Sequence, residues 1–458
     1  MSQHLKFTAL ERRAVVSLAA VYGVRMLGLF MVLPVLALFA GDLEGSTPTL
    51  IGVALGIYGL TQALLQIPFG MLSDRIGRKP VLIGGLLLFV LGSLVAAYAD
   101  SMLWVIIGRA LQGAGAIAST LMALLSDLVR EQNRSKAMML VGISIGASFL
   151  IALVLGPLVS TAGGLSALFT GTALLAALSL LLIVFVVPTP LFTPKRQNSH
   201  GAQLALLAPV LHNTELLRLN FGSFVLHFIM TASFITVPFL LRDGLGIASE
   251  NHGYVYLVVM IFALLVIGPV MMLSERRQIV KPLFIGAVVI LALSLAGLGW
   301  LPVTLWLTLG SLWLYFLAFN LLEANLPSLV TRTSDSGSRG TASGVFSTCQ
   351  FFGAFLGGSC GGLAMEHYGH QGVIVVCLTL ALAWVLIARG MRGPQYWHSL
   401  TLNLEPGNES SDIGSRLRAL EGVREVTMVQ DEPIAYLQID ETLFNQNELN
   451  GLPVSVAT

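Results

Sequence analysis

Twelve apolar stretches of about twenty residues, each cut off from the next by polar residues, glycine or proline, constrain this chain more than any other feature. A helix needs about 20 apolar residues to cross the hydrocarbon of a bilayer, where each backbone polar group must be satisfied within its own segment. The stretches lie near 14–40, 49–72, 80–99, 102–126, 137–161, 165–187, 218–241, 253–273, 280–300, 303–329, 340–363 and 371–391. A linker over 188–217, with Pro188, Pro190 and Pro194, separates the sixth from the seventh. Lipid is the expected solvent: 55% of the residues are hydrophobic and 11% charged, against about 25% charged in soluble domains. Lys6, Arg12 and Arg13 precede the first stretch as they would in a signal peptide. The run from about Ala14 to Ala40 exceeds the ~7–15 residues of a signal-peptide core, so it reads as a span that stays.

Basic residues orient the spans. Loops on one side carry Arg12, Arg13, Arg75, Arg78, Lys79, Arg130, Arg134, Lys136, Arg276, Arg277, Lys281, Arg332 and Arg339, whereas the other side receives Arg242 alone. Both termini are therefore expected in the cytoplasm, as an even number of spans requires.

The chain also repeats itself. MLSDRIGRKPVLIG, from Met71 to Gly84, aligns with MLSERRQIVKPLFIG, from Met272 to Gly286, once a single residue is inserted. One copy joins spans two and three and the other joins spans eight and nine. Two six-helix halves in parallel relation place a binding site at their interface near the bilayer midplane.

With these residues the chain resembles the major facilitator superfamily over about residues 10–392. The loop Gly70-Met-Leu-Ser-Asp74-Arg75-Ile-Gly77-Arg78-Lys79 is similar to the family's signature between helices two and three. Gly108-Arg109-Ala-Leu-Gln112-Gly113 resembles its second motif. Gly156-Pro157 resembles the helix-packing motif associated with antiporters, with Ala152 and Ser160 where glycines are usual. The resemblance implies an all-α fold of twelve transmembrane helices in two rocking halves, residues 1–187 and 218–392, with spans one, four, seven and ten around a central cavity. It further implies a latch. Gly70 and Gly77 shape the loop with Arg75, Asp74 faces the positive N-terminus of span eleven near Gly340, and Arg78 pairs with Asp127. An exposed carboxylate at a helix N-terminus stabilises by roughly 0.3–1 kcal/mol. Glycines four apart, Gly52 and Gly56 in span two and Gly353, Gly357 and Gly361 in span eleven, predict close helix seams.

Charges at membrane depth cost at least ~2.5 kcal/mol each unless paired or hydrated. Counting from the span ends, Arg25 lies ~18 Å deep, and Arg109, His227 and Glu323 lie ~13 Å deep. These four fall one each on spans one, four, seven and ten. Desolvation would raise the pKa of a buried Glu323, and with His227 at similar depth the two form a candidate proton-coupling pair. Arg25 and Arg109 are candidates to attract a substrate anion or balance a carboxylate. Gln62, Gln66, Gln112, Asn320 and Gln350 are candidates for orienting hydrogen bonds.

From Gln395 the composition changes to three arginines against ten acidic residues, a net charge of −7. Alternating Leu400, Leu402 and Leu404 predict a strand; Ile413, Leu417 and Leu420 follow helical spacing. Strands from Val423 to about Val429, over Ile434–Ile439 and at Val454–Val456, with a helix around Thr442–Leu449, complete the β-α-β-β-α-β order of a small α+β ferredoxin-like domain over 395–458. The run Leu417-Arg-Ala-Leu420-Glu-Gly422-Val423-Arg-Glu-Val426 resembles heavy-metal-associated domains but lacks their paired cysteines, so no metal is expected. Such an acidic module is a candidate to dock on the basic cytoplasmic face, bind a ligand or dimerise, and it argues against nucleic acid.

The expected function is proton-coupled export of a small organic molecule across the inner membrane by alternating access. The alternatives are import by symport or facilitated diffusion, and a membrane-embedded sensor signalling through its tail. No hydrolase triad, phosphate loop or metal-ligand cluster occurs in the sequence, so neither enzymatic activity nor a cofactor is expected.

Overall fold

Ten helical runs among the described residues are long and apolar enough to cross a bilayer, and two of them are 51 residues long. A continuous helix of that length would measure ~77 Å against a hydrocarbon core of ~30 Å. Both break near the middle into non-helical backbone, one at Gly163 and Gly164 and the other at Gly369. Each is therefore a hairpin of two spans, and twelve spans result. The computed structural model describes residues 7–189, 207–334, 338–393, 398–404, 410–428, 434–439, 444–445, 449, 452 and 454–456. Two compact units divide the chain after Arg392.

In chain order, span one is Ala9–Phe30, followed by turns over 31–35 and the short helix Leu36–Phe39. Span two is Pro48–Ile76 and span three Arg78–Ala97. Span four is two pieces, Met102–Ala114 and Ala118–Leu128. Spans five and six form Glu131–Leu181, span seven is Thr214–Phe239, span eight His252–Arg276, span nine Val280–Trp300 and span ten Leu305–Thr333. Spans eleven and twelve form Arg339–Arg389. The face where span one begins and span twelve ends is the terminal face.

Helix starts differ from the sequence reading where a cap overrides hydrophobicity. Span seven starts at Thr214 rather than 218, within the expected linker, because the Asn213 side chain accepts from Glu215 N and Leu216 N. Span one starts at Ala9 rather than 14 because Thr8 and Glu11 form a capping box. Buried Glu11 also accepts from Arg130 N at 3.0 Å and Arg130 Nε at 2.9 Å, tying span one to the start of span five.

The internal repeat is visible in the backbone. Gly77 and its aligned partner Gln278 both take positive φ, +99° and +54°. Ser73 Oγ donates to Gly70 O at 2.7 Å, and the aligned Ser274 Oγ donates to Met271 O at 2.9 Å. Each loop is then tied to a span two further on: Arg78 to Asp127 at the end of span four, and Glu275 to Arg332 at the end of span ten.

The second unit has strands β1 (His398–Leu404), β2 (Val423–Met428), β3 (Ile434–Ile439) and β4 (Val454–Val456), with a helix, Ser410–Ala419, between β1 and β2. The sheet order is β2-β3-β1-β4 and every pairing is antiparallel. Helix residues Ile413 and Leu417 pack into one core with Leu402, Val426, Ala435 and Leu437. Most of the expected second helix, Thr442–Leu449, lies outside the described residues.

Replacing Glu11 by alanine keeps the Thr8 cap but removes the carboxylate from Thr8 N and Arg130, at an expected cost of about 1–3 kcal/mol. A thermal unfolding series in detergent, with Glu11→Gln recovering part of the loss, checks this.

Candidate functional site

The four intramembrane charges resolve into two clusters, one in each half. In the first half, Arg25 and Arg109 are each 1% exposed and meet around one tyrosine. Arg25 Nη2 donates to Tyr58 Oη at 2.8 Å and to Gln62 Oε1 at 2.9 Å, while the Arg109 guanidinium lies over the Tyr58 ring, 5.1 Å from its centroid. Arg109 also donates to Gln112 Oε1 at 2.8 Å and to Ala54 O at 3.2 Å; Gln112 Nε2 in turn donates to Ser93 Oγ at 2.8 Å. The break in span four contributes directly, since Gly115 O accepts from Arg25 at 3.4 Å. Electron-rich ring faces and carbonyl dipoles surround these cations rather than carboxylates. The sequence offers Arg25 and Arg109 as candidates to attract a substrate anion or balance a carboxylate, and Gln112 as a cavity residue that orients by hydrogen bonds. Here all three are closed off from solvent and belong to the packing of spans one to four.

In the second half, His227 and Glu323 are neighbours, with Nε2 3.5 Å from Oε2. His227 is buried and its Nδ1 lies 3.0 Å from Ser223 O. A carbonyl only accepts, so Nδ1 carries the proton and Nε2 of the neutral ring is the acceptor. Gln350 Nε2 lies 2.7 Å from that nitrogen and donates to it. A second proton on the ring would need an acceptor at Nε2, and Glu323 supplies one. Glu323 of span ten and Gln350 of span eleven thus both meet the ring at Nε2.

Two expectations about this cluster need correction. Glu323 is 39% exposed, less enclosed than the desolvated carboxylate expected from the sequence. Asn320 turns its amide donor back to Phe316 O at 2.7 Å and to Met260 Sδ at 3.4 Å rather than outward. On the side away from the terminal face an aromatic layer covers the pair. Phe319, one turn from Glu323, lies 6.3 Å from the His227 ring and 6.2 Å from Phe149 of span five, which meets Phe30 of span one at 5.0 Å.

The halves touch most closely near the face opposite the termini. A Cβ on Gly52 would lie 2.1 Å from Gly358 O, one on Gly362 2.4 Å from Pro48 O, and one on Gly253 of span eight 3.0 Å from Val154 O of span five. Gly56 and Gly59 approach the carbonyls of Phe355 and Phe351 to the same degree. Phe351 packs beside Tyr58 and is the chain neighbour of Gln350, so the two charged clusters meet at this seam.

At the terminal face Asp74 pairs with Arg78 at 2.5 Å, and in span eleven Cβ atoms added at Gly340 or Gly344 would meet nothing within 4 Å. Arg78 makes the expected ion pair with Asp127, at 3.1 Å. Arg75 is exposed, and Gly70 has room for a Cβ, 3.5 Å from Ser119 Oγ. Gly156 does serve close packing, because its Cβ would lie 2.6 Å from Met31 O in the turns after span one, and Pro157 follows it within span five.

Twelve spans in two related halves, joined along a glycine seam, define the fold of a membrane transporter. A model of the Major Facilitator Superfamily matches residues 18–358, and the chain belongs to that family, a family of transporters and not of enzymes. It is 43% identical to the inner membrane transport protein YajR of Escherichia coli (strain K12), over 97% of this chain and 98% of that protein. Multidrug resistance protein 2 of Bacillus subtilis (strain 168) is 26% identical over 79% of this chain and 92% of its own length. The crystal structure of a D-xylose-proton symporter matches with a TM-score of 0.68 at 15% identity, covering 83% of this chain and 98% of that one, a likeness of fold.

Replacing Tyr58 by phenylalanine removes one acceptor from buried Arg25 and keeps the ring beneath Arg109. Thermal unfolding of the purified variant is expected to show a loss of about 1–3 kcal/mol.

Proposed function

We propose that this chain exports small organic molecules across the bacterial inner membrane in exchange for protons, with both termini in the cytoplasm. The observation that carries the reading is the His227–Glu323 pair. A histidine and a carboxylate in contact at membrane depth, one closed behind an aromatic layer and the other partly exposed, form a site that takes and gives up one proton. With the seam closed at the opposite face, the proposed path to the pair runs from the terminal face. Rocking of the halves would expose the pair to the other side.

Three further points support the proposal. The basic loops cluster at the terminal face, which fits a cytoplasmic location. The name of the 43% identical relative places that protein in the inner membrane, and the 26% identical one is named for multidrug resistance. Gly156-Pro157 resembles the antiporter-associated motif and packs against span one at its kink. The acidic tail is read as a ferredoxin-like module on the strength of its β2-β3-β1-β4 order.

The loop latch fits the same cycle. With the halves closed at the terminal face, Asp74 would leave Arg78 for the N-terminus of span eleven. Asp74→Asn is expected to abolish transport while leaving membrane insertion and the unfolding temperature unchanged; wild-type flux in that variant removes the latch from the mechanism. For the coupling itself, proteoliposomes with a trapped pH dye and an imposed proton gradient are challenged with lipophilic cations, anions and sugars. Compound-dependent proton movement is expected in the wild type and not in Glu323→Gln, which should still exchange substrate downhill. Equal proton flux in both would exclude Glu323 as the carrier.

A further inference from the structure

Spans two and eleven run antiparallel, so each presents its C-terminal end beside the other's N-terminus, at opposite faces of the membrane. The terminal-face end of this pair is the Asp74 loop. At the other end the first turn of span two has its backbone donors satisfied one by one. Pro48 has no N–H, Leu50 N donates to Thr47 Oγ1 at 3.2 Å, and Ile51 N donates to Thr47 O at 2.9 Å. The remaining donor, Thr49 N, is satisfied from the other half of the protein: it donates to Glu366 Oε2 at 3.0 Å. A carboxylate from span eleven thus completes the cap of span two, at the positive end of that helix.

The glycine seam puts Glu366 there. Gly362 lies against Pro48 O and Gly358 against Gly52 O, and Glu366 follows Gly362 by one helical turn on the same face. At the terminal face Asp74 instead holds Arg78, and Cβ atoms added at Gly340 or Gly344 of span eleven would meet nothing within 4 Å. Among the described residues, the carboxylate contact between spans two and eleven is the one at the face opposite the termini.

We propose that Glu366 is a positioning residue for alternating access, a latch that holds the halves together at the face opposite the termini and is the reciprocal of the one assigned to Asp74. The inference rests on the alternating-access reading. Rocking of the halves separates Glu366 from Thr49 as it brings Asp74 to span eleven, so each carboxylate stabilises one end state by capping the partner helix. Both latches use a backbone N–H as the receiving group, which confines the specificity to geometry and to the carboxylate.

Spin labels placed at Leu103 and Tyr254, both exposed near the opposite face and one in each half, report this directly by pulsed dipolar distance measurement. The full chain is used in nanodiscs with Cys349, Cys360 and Cys377 replaced by alanine. Glu366→Ala is expected to raise the ratio of long to short distances about fivefold, the effect of losing a helix cap. Thr49→Pro deletes the donor and keeps the Thr47 cap; it should shift the ratio as far, and the double variant no further. Wild-type distance distributions in both single variants would overturn the latch and leave the alternating-access reading standing. A single distance in the wild type, in Asp74→Ala and in Glu366→Ala alike would overturn both.

Discussion

The seam between spans two and eleven is the contact on which the rest of this structure depends. Gly52, Gly358 and Gly362 bring the two backbones so close that a single added Cβ would overlap a carbonyl oxygen. In lipid, where burying apolar surface offers no advantage over the solvent, backbone approach of this kind is the main source of helix adhesion. The seam fixes which face is closed. It also carries Gln350 and Phe351 of span eleven to the middle of the molecule, where one touches His227 and the other packs beside Tyr58.

The two halves solve the cost of buried charge differently. The first half holds two guanidinium groups on a tyrosine, two glutamines and backbone carbonyls, all closed from solvent, which suits a rigid body. The second half holds a histidine and a carboxylate in contact, with the carboxylate partly exposed, which suits a group that changes protonation during the cycle. Phe30, Phe149 and Phe319 bridge the two halves beside that pair.

Much of this was legible in the sequence because lipid leaves a helix few options. Span positions followed from apolar length, span nine over 280–300 to the residue, and the 51-residue hairpins were separable at their glycines. His227 and Glu323 could be paired because each lies nine residues from a basic residue, Arg218 or Arg332, at the same end of its span. Other features had no local signal. Tyr58 reads as an ordinary core aromatic, and only the fold shows two arginines converging on it. Glu366 looks like a charge at the end of a span, and its partner lies 317 residues away. The exposure of Glu323 and the pairing of Asp74 with Arg78 depend on how the halves are arranged, a property of the conformation that composition and spacing do not encode.

The claim at the centre of this account is that the His227–Glu323 pair exchanges one proton against substrate. Proton release counted in weakly buffered detergent solution, as a lipophilic ligand is titrated into the purified protein, tests it most directly. About one proton released per ligand bound, with none released when the pair is replaced by glutamines that still bind the ligand, is the expected result. Saturable binding that releases no proton at any pH between about 6 and 8 would contradict it.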